Sequence, residues 1–245
     1  MKKDQLVINT LVFLNDLKNG IEQSVIMDTI NELKISNIEI RREYIKDFDH
    51  ELSSIKEKSK VYNMNIFYSV PEWVYKENKL LAIDIEKYFK EAYEMNCHYV
   101  KLNIGQYEEV TENDVQIINK LSKKYEVKMT VENDQTILNG KVESINRFLC
   151  QVKKHEGNIT FTFDIGNWVF QDENPLENAE LLNEFVTYIH LKDVGRDKNN
   201  VLLNEGVIDW KKALDKLPKG LPIALEYPCE TKEKVQLEIN KILQK

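Results

Sequence analysis

The chain is poor in the residues that interrupt or staple a fold. Eight glycines and five prolines are scattered over 245 residues, and they gather nowhere with serine into a linker. A single domain over residues 1–245 is expected, because this length can bury one sizeable core. Three cysteines, Cys97, Cys150 and Cys229, are odd in number, widely spaced and form no CxxC pair. That argues against a disulfide framework or a cysteine-built zinc site and fits a reducing compartment. Positive charge is short as well: 34 Lys and Arg against 41 Asp and Glu leave a net charge of −7. Such a balance offers no basic footprint for nucleic acid or an anionic membrane. No run approaches the ~18 apolar residues of a membrane span. The opening MKKDQLVINTLVFLND breaks its apolar run with Asn and Asp and has no small-residue cleavage site. The expected setting is soluble and cytoplasmic, with neither membrane nor nucleic acid as a partner.

What the chain does have is a regular alternation of two patterns. Strand-like runs are LVINTLVF, SNIEIRRE, MNIFYSVP, HYVKLNIG, VKMTVEN, ITFTFDIG, TYIHLKD and PIALEYP. Between them lie amphipathic, helix-sized segments such as EQSVIMDTINELK, HELSSIKEKSKVY and VESINRFLCQVKKH, and the chain ends on TKEKVQLEINKILQ. Eight strands, each followed by a helix or helix-sized segment, predict a parallel sheet, since parallel strands need crossovers. At this length the natural closure is an α/β fold of one type, a single (β/α)8 TIM barrel. A doubly wound open sheet is the structural alternative, but no GxGxxG or Walker turn follows any strand.

Strands covered on both faces ordinarily read as continuous apolar runs. Here one face is apolar, as in Ile38 and Ile40, Val100, Leu102 and Ile104, Phe161 and Phe163, or Ile189 and Leu191. The other face carries Glu39 and Arg41, Lys101 and Asn103, Thr130 and Glu132, Thr162 and Asp164, His190 and Lys192, and Ala224 and Glu226. The apolar face is expected to meet the helices and the polar face to line the barrel. Most of the acids come late in their strands, at the end where barrel enzymes assemble their sites.

Four of these residues share a position and a chemistry: Glu132 in TVEND, Asp164 in TFDIGN, His190 in YIHLKD and Glu226 in ALEYP. Three carboxylates and an imidazole converging without compensation would repel and desolvate one another. One divalent metal ion resolves this, and oxygen-rich ligation with a single imidazole suits Mn²⁺, Mg²⁺, Co²⁺ or Zn²⁺. Lys192 and Arg41 are alternative neutralising partners for the same acids. The remaining histidines read as ordinary: His50 and His155 fall in helical segments, and His98 begins a strand at the opposite rim. Tyr88, Phe89 and Tyr93 read as helix-face packing.

In their order and spacing, TVEND, FDIGN, IHLKD, NEGVIDW and LEYP resemble the xylose isomerase-like TIM-barrel superfamily over essentially the whole chain. That superfamily holds sugar phosphate isomerases and epimerases and, among proteins of the AP endonuclease family 2 type, endonuclease IV. The resemblance implies a metal at Glu132, Asp164, His190 and Glu226, with Glu132 and Glu226 also serving as catalytic acid and base. It also implies a substrate contact for Arg196, six residues after the histidine. Two departures stand out. Asn167 occupies the place where ketose epimerases of the group carry a histidine, and Asn204 replaces the glycine that opens the family's G-E-G-x-I-D-W loop. Endonuclease IV binds three zinc ions through many His and Asp ligands, and four histidines in the whole chain cannot supply that set.

The expected function is a metal-dependent isomerase or epimerase acting on a sugar, a sugar phosphate or a related polyol-ketone, by proton transfer beside a carbonyl. Glu39, Arg41, Lys101, Asn103, Asn167 and Arg196 are candidate hydroxyl or phosphate contacts, and Trp73 in SVPEW is a candidate apolar wall. An inosose-type dehydratase on the same metal site is the near alternative, and a sugar-binding barrel without turnover the more distant one. Self-association into a homo-oligomer is compatible with everything above.

Overall fold

The computed structural model describes residues 2–244. Its barrel strands are β1 (Leu6–Asn9), β2 (Asn37–Arg41), β3 (Asn65–Lys76), β4 (Tyr99–Gly105), β5 (Lys128–Glu132), β6 (Thr160–Asp164), β7 (Val186–Leu191) and β8 (Ile223–Leu225). All pair in parallel with their neighbours, and the contacts of β1 with β8 and of β2 with β3 close the sheet into a barrel. The helices that return the chain are α1 (Gln23–Glu32), α2 (Phe48–Tyr62), α3 (Ala82–Glu94), α4 (Glu112–Tyr125), α5 (Val142–Lys154), α6 (Pro175–Leu182), α7 (Trp210–Lys216) and α8 (Lys232–Leu243). The fold is a single (β/α)8 barrel; the open-sheet alternative is excluded by the closure.

The alternation read from the sequence is realised as two layers. Ile38, Ile40, Val100, Leu102, Phe161, Phe163, Ile189 and Leu191 join the large apolar layer between sheet and helices. A separate small cluster of Val7, Phe67, Tyr188 and Ala224, with Tyr99 against it, plugs the barrel interior. Phe67 stacks on Tyr99 and Tyr188, with ring centroids 5.0 Å and 4.8 Å apart. In "VTYIHLKDV", Tyr188 therefore belongs to the apolar plug, and His190 and Lys192 stand successively nearer the C-terminal mouth. The period-2 geometry of a strand dictates that order.

Several boundaries differ from the sequence reading. The first strand stops at Asn9 because the Asn9 side chain accepts the Leu11 N–H and turns Thr10–Phe13 into a 3₁₀ segment. In the other direction, β3 runs through Pro71 to Lys76, with a register shift between Ser69 and Trp73. His155 lies just past α5 as its cap rather than within it, and Tyr93 is exposed, touching Tyr125 edge-on. No helix among the described residues is long and apolar enough to cross a membrane.

Beyond β7, Asp193–Val194 pairs antiparallel with Asn200–Val201 to form a hairpin over the mouth. The fully buried Asp193 carboxylate accepts the backbone N–H groups of Val194, Asn204, Gly206 and Ile208 and so gathers the NEGVID loop beneath it. Asn204 sits at φ 72°, a left-handed conformation that Asn tolerates better than most residues. Its Oδ1 accepts the Trp210 indole N–H at 3.0 Å, which accounts for Asn where a glycine was expected.

Candidate metal centre

Glu132 ends β5, Asp164 ends β6, His190 lies within β7, and Glu226 directly follows β8. All four are buried, and one ligating atom from each lies within 4.8 Å of the others. Asp164, Glu132 and His190 each have one atom held by a neighbour and the other turned towards the cluster, whereas both oxygens of Glu226 are held. Asp164 Oδ1 accepts the N–H groups of Gly166 and Asn167 at 2.8 and 2.9 Å, which frees Oδ2. Lys101 Nζ donates to Glu132 Oε2 at 2.5 Å, which frees Oε1. On Glu226, Arg41 Nη1 takes Oε1 at 2.7 Å and Lys192 Nζ takes Oε2 at 3.0 Å. His190 meets Glu39 through Nε2 at 3.0–3.1 Å, so Nδ1 faces the carboxylates.

These freed atoms test the fit to a cation. Glu132 Oε1, Asp164 Oδ2 and His190 Nδ1 are buried without a hydrogen-bond partner of acceptable geometry. His190 Nδ1 lies 2.5 Å from Glu132 Oε1 and 3.2 Å from Glu226 Oε2, and Lys192 Nζ lies 2.7 Å from Asp164 Oδ2. Two carboxylate oxygens and a ring nitrogen converging on one small volume, balanced there only by the His190 proton and the Lys192 ammonium, suit a divalent cation.

The charge arrangement points the same way. Four buried carboxylates (Glu39, Glu132, Asp164, Glu226) face three permanent cations (Arg41, Lys101, Lys192). In the metal-free protein a proton on His190 makes up the difference: burial disfavours the charged ring, but Glu39, Glu226 and Glu132 together raise its pKa well above the ordinary value. Burial opposes the charge of Glu132 too, yet Lys101 and His190 hold its carboxyl down at about 2. Asp164 goes the other way, pushed up to about 7 by burial and by the neighbouring Glu226 and Glu132 charges against the pull of Lys192. A proton and a cation would compete for this pocket.

Around this cluster the expected contact residues divide. Asn103 and Asn167 each keep a buried Oδ1 without a partner, and Asn103 pairs in register with Glu132 on one side and Trp73 on the other. Trp73 is 37% exposed at the rim. Arg41 is committed to Glu43 and Glu226, and Lys101 to Glu132, so neither carries unspent charge. Two of the expected contact residues lie in very different settings. Glu39 has no exposed surface and no access to the mouth, because His190, Asn9 and Tyr188 surround its carboxylate. Arg196 lies exposed in the turn of the hairpin over the mouth, with no ion pair to another described residue.

Two residues that support the cluster escaped the sequence reading. Asn133 brackets Asp164 by donating to its carbonyl and accepting from its N–H, both at 2.9 Å, while the Asn133 carbonyl accepts from Asn167 Nδ2. Asp193 is the loop anchor described above. Each follows a pocket-facing residue, and so sits as a polar residue on the face that should be apolar. That break in the alternation was the available signal.

A closed eight-stranded barrel with a carboxylate–histidine cluster at its C-terminal mouth defines the class. The chain belongs to the xylose isomerase-like TIM-barrel family, whose model matches residues 32–244. No curated protein sequence matches it closely enough to count as a relative. Among solved structures, the IOLI protein with a bound zinc atom is similar at TM-score 0.73 and 15% identity, over 98% of this chain and 96% of that one. The probable 3-DHS dehydratase AsbF of Bacillus anthracis gives TM-score 0.72 at 14% identity, over 98% and 99%. D-allulose 3-epimerase of Methylomonas sp. in complex with D-allulose gives TM-score 0.72 at 11% identity, over 100% and 97%. At these identities the likeness is one of fold.

Proposed function

We propose that the protein is a divalent-metal-dependent isomerase or epimerase of a sugar or related polyol-ketone, in which Glu132 and Glu226 carry the proton. The observation that carries this reading is that two glutamates from separate strands, β5 and β8, flank one ligand point, each with an oxygen tied to a fixed cation. Glu132, Asp164, His190 and Glu226 would hold a divalent ion, which supplies charge stabilisation for the substrate oxygen that becomes anionic when the adjacent carbon loses a proton.

The chain's own residues do the rest. Lys101 keeps Glu132 anionic at neutral pH, and Lys192 with Arg41 does the same for Glu226, so either carboxylate is ready to accept first. A C–H proton taken by one glutamate on one face, and a proton returned by the other on the opposite face, inverts that carbon with no net change in atoms. The free acceptors Asn103 Oδ1 and Asn167 Oδ1 suit substrate hydroxyl donors. Arg196, exposed on its hairpin, is available to close onto a bound substrate, and Trp73 offers an apolar rim.

A dehydratase on the same site is the second reading. Lys101 and Lys192, buried beside the ligand cluster, would be its candidate proton donors to a departing hydroxyl once a bound substrate displaced their carboxylate partners. One experiment separates them: ketoses, aldoses, their phosphates and inososes are incubated with metal-loaded enzyme in D₂O and followed by NMR. Deuterium incorporated beside the carbonyl with inversion supports the epimerase. Loss of water supports the dehydratase, and inertness toward every substrate of these types counts against both.

A further inference from the structure

Glu39 is an acid at the edge of the apolar plug. It pairs in register with Phe67, its carboxylate meets the Tyr188 hydroxyl, and its surface is closed to solvent. An aliphatic side chain would fill that space without the cost of desolvating a carboxylate. What the carboxylate holds therefore matters. Asn9, its register partner on β1, donates Nδ2–H to Oε2 at 2.8 Å, and the Tyr188 hydroxyl donates to the same oxygen at 3.0 Å. Both carboxylate oxygens then reach His190 Nε2, at 3.0 and 3.1 Å. Tyr188 also packs edge-on against the imidazole, centroids 4.9 Å apart at 84°, which limits the ring's rotation.

Resting on the ligand set proposed above, we infer that Glu39 is the positioning residue of the metal centre, setting both the tautomer and the ring orientation of His190. A neutral imidazole carries one proton on either nitrogen, and the hydrogen bond made by one decides which is free. With Nε2–H donating to Glu39, the lone pair lies on Nδ1, the atom that faces Glu132 Oε1 and Glu226 Oε2. A ring turned over, or the other tautomer, would point a C–H or N–H at the ligand point instead. Asn9 and Tyr188 hold Glu39 in turn, so the orientation is fixed from β1, β2 and β7 together. Carboxylates placed behind a ligating histidine in this way commonly govern metal affinity by 10–100-fold.

The test needs no substrate. Glu39→Gln preserves the shape and an acceptor but not the charge; Glu39→Leu removes both and suits the apolar surroundings. Kd for Mn²⁺ and Zn²⁺ is measured by calorimetry, and the His190 ring nitrogens are assigned by ¹⁵N NMR in the zinc-loaded protein. The unmodified protein is expected to coordinate zinc through Nδ1 with a proton on Nε2. Glu39→Gln is expected to weaken binding by about 10–100-fold, and Glu39→Leu at least as much in its folded fraction, with a lower metal-free Tm because Asn9, Tyr188 and the His190 proton lose their acceptor. A merely structural acid would lower Tm and leave the Kd of the folded fraction unchanged in both variants. Unchanged Kd in both variants, or zinc on Nε2, overturns the role of Glu39 while leaving the ligand set intact. Absence of metal binding in the unmodified protein overturns both.

Discussion

Lys101 and Glu132 stand on adjacent strands with Nζ 2.5 Å from Oε2, both side chains about 95% closed to solvent at 6% and 5% exposure. Removing one partner of such a pair strands the other charge in the interior, whereas removing both is far less costly. Lys101→Met is therefore expected to destabilise the metal-free protein by about 3–5 kcal/mol, and Lys101→Met/Glu132→Gln to recover most of it. Glu132 is depressed from 4.5 to about 2, so its contribution is present above pH 4.5 and is lost as pH falls towards 2. Urea unfolding across that window checks both statements: the acid-dependent loss should shrink in the single variant, where His190 still holds Glu132 down, and vanish in the double variant. Equal stability of single and double variants would contradict the pairing.

Metal binding should release protons. His190 is raised above its ordinary 6.5, so in the metal-free protein its stabilising proton is fully bound below pH 6.5 and is lost only as pH climbs through the raised value. A metal at Nδ1 must displace that proton, and Asp164, at about 7, gives up part of another. Apparent affinity for Mn²⁺ should thus rise by ~10-fold or more per pH unit between pH 6 and 7. Calorimetry in buffers of different ionisation enthalpy should count about one proton or more per metal. One equivalent of metal is expected per chain, largely lost in His190→Ala. Affinity that is flat with pH would mean the proton and the cation occupy different places.

Glu132→Gln and Glu226→Gln each keep the side-chain shape and one oxygen donor while removing basicity. With metal saturating, turnover should fall by about 10²–10⁴, the usual scale of general acid–base catalysis. In an epimerase, one variant should still exchange a substrate proton with D₂O from a single face without completing inversion. Near-normal turnover in both variants would falsify the two-glutamate mechanism and move attention to Lys101 and Lys192.

Arg196 is exposed in the turn of its hairpin, where a side chain contributes little to the fold. Arg196→Ala is expected to raise KM several-fold while Tm stays within a degree or so, the ordinary outcome for a surface substitution. An unchanged KM would leave Arg196 as a solvated charge on the hairpin.

Much of this was legible in the residue order. The strand period of 2 sorts Ile189 and Leu191 from His190 and Lys192 without any knowledge of neighbours, and eight such strands separated by helix-sized segments leave a closed barrel as the economical arrangement. The same periodicity placed Glu132, Asp164, His190 and Glu226 at matching ends, and the structure brings them within 4.8 Å. Inter-strand register was not legible. Glu39 and His190 are 151 positions apart, and only closure of the barrel puts that carboxylate behind the ring rather than in the mouth. Likewise Asn133 and Asp193 look misplaced along their own strands, because the backbone groups they satisfy belong to other segments. Local alternation decides which face a side chain takes. Which partner it meets there, and so which nitrogen of His190 is free, is decided by contacts across the barrel that only the folded chain creates.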